Sequence, residues 1–449
     1  MTLALIILAA GKGTRMRSDL PKVLHPIAGA PLVVHAMEAG RPLSPSRCVV
    51  VAGHGADLVR DRVLQHDQDA EIVLQTEQLG TAHAVDQARA ALEGFEGDAI
   101  VLYGDTPFVS AETLREIQAA RAGGADVVVL GFEAAVPGKY GRLVVEGDRL
   151  MRIVEAKDAS ADELAITLCN SGVVCADSAT LFDLISKVGN DNASGEYYLT
   201  DIVDIANAGG KRCAAVTCDE SETLGVNSRV DLAAAEAVFQ AARRQRAMEE
   251  GATLPAPETV QFAWDTQVGR DVMIEPNVVC GPGVVVAGGV TIRAFSHLEG
   301  CTVGQGSVVG PYARLRPGSD LADGVRIGNF VETKNAKIAA GAKVNHLSYI
   351  GDATVGSEAN IGAGTITCNY DGVLKHQTEI GAGAFIGSNS ALVAPVRIGA
   401  EALVGAGSVI SKDVPDGALA VTRAKQSNTE GLARRLRARL LEIKARAGR

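Results

Sequence analysis

Residues 268–298 read VGRDVMIEPNVVCGPGVVVAGGVTIRAFSHL, and an apolar residue returns at every sixth position: Val268, Ile274, Cys280, Val286, Ile292 and Leu298. The same frame reappears at Val303, Val309, Leu315, Leu321 and Ile327, and again at Ile380, Ile386, Leu392, Ile398, Val404 and Ile410. The chain is 47% apolar. Six hits in a chosen frame then arise by chance about once in a hundred, so three such blocks make chance a poor account. A repeat of six places one inward residue on each flat face. Three faces close one coil of about eighteen residues, the pattern of a parallel β-helix. Glycine often follows the apolar residue, as at Gly269, Gly281, Gly304, Gly328, Gly381 and Gly399, where a small residue permits the corner. Frame slips near 299–302, 334–337 and 351–354 predict tight or bulged corners. The break over 367–379 predicts an external loop.

Upstream of the repeats the pattern is different. Residues 228–250 (SRVDLAAAEAVFQAARRQRAMEE) contain no Gly or Pro and predict one long helix, with Ser228 as N-cap and Gly251 at its end. The segment LPAPET (254–259) reads as a linker. Before the helix, β-rich apolar runs at 3–9, 48–52, 98–103, 126–132 and 172–176 alternate with helix-patterned stretches at 31–40, 80–92 and 110–122. That alternation predicts a mostly parallel sheet with helices on both faces, binding ligands beyond the carboxyl ends of its strands. The expected organisation is an α/β Rossmann-like domain over 1–227, a linker helix over 228–250 and a β-helix domain over 251–449.

Composition narrows the function classes. A chain of 449 residues suits two or three domains. Its net charge of −10 argues against a general nucleic-acid binder but leaves room for phosphorylated ligands held by local cations. The eight cysteines form no C-x-x-C pair, and the expectation is reduced, buried thiols in a cytosolic protein with no zinc site. The apolar run at 3–10 is too short to span a bilayer and has no basic segment before it, so a cytoplasmic protein without membrane contact is expected. The tail 432–449 carries seven Arg or Lys against one Glu, with Leu432, Leu436 and Leu440 four apart. It reads as a short helix, solvated or packed in an oligomer.

Residues 8–16 read LAAGKGTRM, with Pro21 and Lys22 following. This Gly-rich loop leaves a buried strand and is expected to enter a helix. Small residues there let backbone N–H groups approach phosphates. It is neither a Walker loop nor a dinucleotide fingerprint, since Met16 stands at the third glycine position. Alone, such a turn could be structural; Arg15 and Lys22 beside it favour a triphosphate cradle.

The combination resembles the sugar-1-phosphate nucleotidyltransferases. The resemblance runs on through QTEQLGTAHA (75–84), LYGDTP (102–107), YGR (140–142), VEAKDA (154–159), NSG (170–172), GEYYLTD (195–201) and GVN (225–227). These match, in order and spacing, the uridylyltransferase half of a bifunctional bacterial family. That family acetylates glucosamine 1-phosphate and then uridylates the product to UDP-N-acetylglucosamine, feeding peptidoglycan and lipopolysaccharide synthesis. The resemblance implies that Leu8, Ala9, Ala10 and Gly11 hold uracil and ribose by backbone contacts, and that Gln75, Gly80 and Thr81 complete the uracil pocket. It implies that Arg15 and Lys22 neutralise the triphosphate and that Asp105 and Asn227 hold Mg²⁺. Tyr103, Gly104, Gly141, Glu155 and Asn170 would contact ribose or amino sugar. On the residues alone, Asp105 could be a turn residue before Pro107, and Asn227 a helix cap.

A hexapeptide β-helix by itself says little about function. The off-register residues say more: ARLRPG (313–318), GNFVETK (328–334), NHLSYIGD (345–352), NIGAGT (360–365), CNYDG (368–372) and Lys375. They resemble the acetyltransferase half of the same family, whose fold is a left-handed β-helix and whose members form homotrimers. By that likeness Arg316, Lys334, Tyr349, Asn360, Asn369 and Tyr370 bind glucosamine 1-phosphate, with Arg316 and Lys334 facing its phosphate. Ala363, Ser388, Ala406 and Arg423 would line the acetyl-CoA groove, and the Ala363 N–H would serve as oxyanion donor. His346 is the candidate general base, because an attacking amine must shed a proton and a histidine titrates near neutrality. Without its motif, His346 would read as a corner residue. Asn335 departs from the family, which often repeats a lysine there. The competing reading is a single-activity sugar-1-phosphate nucleotidyltransferase with a scaffolding β-helix.

Overall fold

The computed structural model describes residues 2–447, which divide into two compact units between Arg243 and Arg244. The first unit is built on strands β1 (Leu3–Ala9), β2 (Arg47–Ala52), β3 (Glu71–Leu74), β4 (Asp98–Tyr103), β5 (Val127–Glu133), β6 (Arg142–Glu146), β7 (Arg149–Val154), β8 (Leu168–Asp177) and β9 (Cys213–Cys218). Their order is β9-β5-β8-β4-β1-β2-β3, with the β6–β7 hairpin attached through β8. Pairing is parallel except within the β6–β7 hairpin and around β8, which runs antiparallel to both β4 and β5. Continuous apolar runs such as LALIILA suit this position, since helices cover both faces and neither side of a central strand meets water. Helices α1 (Leu32–Gly40), α2 (Ala56–His66), α3 (Thr81–Asp86), α4 (Ala111–Ala122), α5 (Ser178–Ile185) and α6 (Ile202–Ala208) do the covering.

Two local expectations fail here. The loop after β1 enters only one turn of 3₁₀ helix, Thr14–Met16, because Gly13 (φ 59°) and Arg17 (φ 47°) are left-handed at its two ends. The helical pattern at 80–92 is also cut short: α3 ends at Asp86, and only a 3₁₀ turn follows at Ala90–Leu92.

Helix α7 spans Arg229–Glu249, and the division between units falls inside it. The Ser228 hydroxyl accepts the Asp231 N–H at 3.2 Å, which caps its start. Its first half packs within the first unit: Glu236 accepts the Ala28 N–H at 2.7 Å, and Phe239 meets His35 edge-on with ring centroids 5.8 Å apart. Its last turn belongs to the second unit, where Ala247 joins the apolar core. LPAPET is not a free linker. Leu254 is buried in that same core, and Pro257–Thr259 forms a 3₁₀ turn.

The second unit is a parallel β-helix of stacked short strands. One face stacks Val268, Val286, Val303, Leu321, Ile338, Val355, Ile380 and Ile398 in register. A second stacks Ile274, Ile292, Val309, Ile327, Val344, Ile361, Ile386 and Val404. The coil begins before the clear repeats, since Phe262 pairs with Cys280. Frame slips are shortened coils: Cys280 pairs with Leu298, whereas Val286 pairs with Val303, one residue fewer. Near 334–337 and 351–354 the corners are so tight that strands Glu332–Ile338 and Tyr349–Val355 run through them, with Asn335 (φ 45°) and Asp352 (φ 46°) left-handed at the bends. The third face carries buried Thr333 and Thr367 in place of aliphatic residues; their hydroxyls bond Ser319 (2.8 Å) and the Gly351 carbonyl (3.0 Å). The external loop is shorter than expected, 369–377, because Ile366–Cys368 and Thr378–Ile380 remain in the coil.

Helix α8 (Leu432–Arg446) follows the coils and is exposed along its length; residues 448–449 of the basic tail lie outside the described residues. No described helix is long and apolar enough to cross a membrane. Five of the eight cysteines are buried, and Cys48, Cys218 and Cys368 are half-buried. Burial pushes the Cys48 and Cys301 thiols up to about 12.

Candidate functional site

The first candidate site lies at the carboxyl ends of β1 and β4. A cleft of about 220 Å³ is lined there by Leu8, Ala10, Gly11, Lys22, Gln75, Gly80, Thr81, Tyr103 and Asp105. Val23, Gln78, Ala84 and Glu196 also line it and were not foreseen. They come from three separate segments; Gln78, Ala84 and Glu196 lie inside the motifs that pointed here, and Val23 directly follows Lys22. Ala9 does not reach the cleft: it pairs with Ala52 inside the sheet. Gly104 sits under the strand end, its N–H donating to the Leu8 carbonyl at 2.9 Å.

The charged groups converge at one edge. Lys22 makes an ion pair with Asp105 and donates to Asn227 Oδ1 at 3.1 Å. Arg15 donates to the same Asn227 oxygen at 2.9 Å. The backbone holds these groups in place, because the Val226 N–H bonds the Asp105 carbonyl at 2.9 Å and Asp231 accepts the Asn227 N–H at 3.0 Å. Gly13 is needed here, since a Cβ on it would lie 2.5 Å from Lys22 Cβ. Asp105 and Asn227 therefore present two oxygens within hydrogen-bond reach of one ammonium. Among the described residues no cluster of three His, Cys, Asp or Glu side chains could hold a metal ion.

A neighbouring patch gathers Tyr103, Gly141, Glu155 and Asn170. The Asn170 N–H donates to the Gly141 carbonyl at 2.8 Å, and Asn170 Oδ1 accepts the Gly172 N–H at 2.9 Å. A Cβ on Gly172 would lie 2.6 Å from the Tyr103 ring. Burial pushes the Tyr103 phenol and the Glu155 carboxyl above their ordinary ranges. Thr200 donates to Glu155 at 3.4 Å.

The second candidate site lies on the β-helix, where three cations crowd together. Lys375 beside Lys334 holds the Lys334 ammonium below the usual lysine range, with Arg316 adding to the effect. Arg316 pairs with Glu332 at 2.8 Å. Asn369 donates to Asp352 and meets the Tyr349 hydroxyl at 3.5 Å. Burial raises the Asp352 carboxyl, but hydrogen bonds from Asn335 (2.7 Å) and Asn369, with the nearby lysines, bring it below the ordinary range. Asn335 thus has a partner where a lysine would have added a fourth cation. Asp352, Glu332 and Asn335 were not assigned roles from sequence, because only the stacking of coils brings them to Lys334 and Asn369.

His346 is exposed at the next corner, its Nδ1 2.9 Å from Asn329 Oδ1. Since a carbonyl oxygen only accepts, the proton is assigned to Nδ1 and the lone pair to Nε2. Above it one corner repeats coil by coil. The Gly364 N–H donates to the His346 carbonyl (3.2 Å), the Asn389 N–H to Ala363 (2.7 Å) and the Gly407 N–H to Ser388 (2.8 Å); Arg423 donates to the Ala406 carbonyl. Ala363, Ser388, Ala406 and Arg423 therefore stand in one column. Two expected residues make their hydrogen bonds outside that column, and Tyr370 bridges Lys375 through its backbone. Asn360 lies on the face before that corner, its N–H given to Ala384 (2.8 Å). The exposed Tyr370 turns its hydroxyl into its own loop, to the Gly372 carbonyl at 2.6 Å.

Comparison with known proteins places both units. Residues 5–171 match the MobA-like NTP transferase domain family, and residues 377–412 match the bacterial transferase hexapeptide family. Over 436 residues the chain is 64% identical to "Bifunctional protein GlmU" of Roseobacter denitrificans, covering 97% of each chain. Identity to the protein of the same name from a Ruegeria species is also 64%, over 97% of each chain. With that of Dinoroseobacter shibae it is 62% over 448 residues, 100% of each chain.

Proposed function

The chain belongs to the GlmU family of bifunctional proteins, and we propose that its two sites perform successive transfers in UDP-N-acetylglucosamine synthesis. Its nucleotidyltransferase unit precedes a left-handed parallel β-helix. The β-helix acetylates glucosamine 1-phosphate from acetyl-CoA. The first unit then transfers uridylyl from UTP to N-acetylglucosamine 1-phosphate and releases pyrophosphate. We assign uridylyl transfer to 1–227 completed by the α7 start, and acetyl transfer to 251–449. The observation that carries the reading is the pair of separate cationic centres, Arg15 with Lys22 in one unit and Arg316, Lys334 and Lys375 in the other.

In uridylyl transfer a sugar phosphate oxygen attacks the α-phosphorus of UTP and pyrophosphate leaves. Both reactants are anions, so Lys22 and Arg15 offset their repulsion and steady the charge on the transferring group. Asp105 and Asn227 supply oxygen ligands of the kind a hard divalent cation takes, and Mg²⁺ held there would neutralise phosphate charge. No protein nucleophile is required. In acetyl transfer the amine of the sugar attacks the thioester carbonyl, forming the amide and expelling CoA as thiol. His346 Nε2 receives the amine proton, with Asn329 holding the ring's other nitrogen in its protonated state. The three cations bind the substrate phosphate, which relieves their mutual repulsion. The protein works in the cytoplasm as a homotrimer.

The test is to supply purified protein with glucosamine 1-phosphate and acetyl-CoA in one reaction, and with N-acetylglucosamine 1-phosphate, UTP and Mg²⁺ in another, and to follow CoA and pyrophosphate separately. Release of pyrophosphate without acetyl transfer would instead support the scaffolding role of the β-helix.

A further inference from the structure

The base end of the nucleotide cleft contains an orienting device. Gln75 lines the cleft yet is only 4% exposed, so its amide has little freedom to be satisfied by water. Its Nε2 lies 3.2 Å from the Gly80 carbonyl and 3.1 Å from His83 Nδ1. A side-chain amide can turn over by exchanging its oxygen and nitrogen, and its neighbours decide which way it points. Here both neighbours are acceptors, so the NH₂ end faces them, and His83 carries its proton on Nε2. Oε1 accepts no hydrogen bond among the described residues. Beside it Gly80 has an N–H that nothing among the described residues accepts. Gly80 is pinned in turn: its φ is 122°, and a Cβ there would lie 2.4 Å from the Tyr197 carbonyl.

We propose that His83 is a positioning residue for base selection: its Nδ1 locks the Gln75 amide so that the cleft presents one acceptor, Oε1, beside one donor, the Gly80 N–H. Uracil offers the complement, an N3–H donor beside the O4 acceptor. Cytosine offers the reverse, an N3 acceptor beside an N4 donor, and leaves both protein groups facing their like. His83 need not touch the base; it acts through Gln75. The inference rests on the reading of this cleft as the UTP site and adds how UTP is told from CTP. Without the His83 acceptor, only the Gly80 carbonyl opposes amide rotation, and a turned Gln75 presents NH₂ to the base.

The experiment uses the full chain as wild type, His83→Leu and His83→Asn. The asparagine places Oδ1 near the position of Nδ1 and restores an acceptor. Nucleotidyl transfer is measured with UTP and with CTP, and acetyl transfer by the same preparations reports an intact chain. The expected result is that His83→Leu lowers the UTP-to-CTP ratio of kcat/KM by about tenfold, with His83→Asn recovering most of it. A leucine variant that keeps the wild-type ratio, or an asparagine variant no better than leucine, overturns the positioning role. A wild-type chain that uses UTP and CTP equally overturns the UTP reading along with it.

Discussion

His346 and Asp105 carry different burdens, and their separation makes the assignment testable. His346 has an accessible ring nitrogen on a corner of the β-helix, whereas Asp105 pairs with Lys22 at the end of β4. His346→Ala is expected to lower acetyl transfer by about 10²–10⁴-fold, the span of a lost general base, with uridylyl transfer unchanged. Asp105→Ala should do the reverse. Loss of both activities from either change in a folded chain would refute the two-site assignment. A second residue reports on stability. Burial, with Asp204 and Glu155 nearby, raises the Asp201 carboxyl to about 6. Folding therefore favours its protonated form: the contribution is full below the unfolded carboxylate range and is lost as pH rises through about 6. Asp201→Asn should accordingly raise the melting temperature relative to wild type more at pH 8 than at pH 5. An equal difference at both values would show that the carboxyl titrates normally.

At the scale of elements the β-helix was legible and the sheet only partly so. A period of six needs only neighbouring residues to be seen, and each coil repeats it, so Ile292 and Ile386 could be placed in a core before any contact was known. Both are fully buried. Ile386→Ala removes a buried side chain between stacked coils that cannot close the gap, and should cost about 2–5 kcal/mol. Chemical denaturation followed by acetyl transfer would measure it, and a cost under 1 kcal/mol would mean the coil relaxes around the cavity. The position of β8 was not legible. It runs antiparallel between β4 and β5, and that pairing is set by segments far apart in sequence. The short 3₁₀ turn after β1 was also missed, because composition shows where glycine stands but not that Gly13 and Arg17 both turn left-handed.

For the whole molecule, the informative element is α7. Its start completes the first site, since Asn227 is held by Asp231, and Glu236 and Phe239 pack within the first unit. A chain ending at residue 250 is therefore expected to retain uridylyl transfer, and one ending at 227 to lose at least about tenfold through loss of these tethers. Equal activity of the two truncations would show that α7 contributes nothing to the site. What the sequence by itself determined is the set of reactive groups and the repeat: Lys22, Arg15, Asp105 and His346 stand in motifs, and the hexads fold by a local rule. Only the tertiary structure decided which of them share a space. Asp352 meets Asn335 and Asn369, Gln75 meets His83, and Tyr370 bridges Lys375 while its hydroxyl bonds the Gly372 carbonyl. The physical reason is that hydrogen bonds and charge act over a few ångströms, and it is coil stacking and strand order, not spacing along the chain, that bring groups that close.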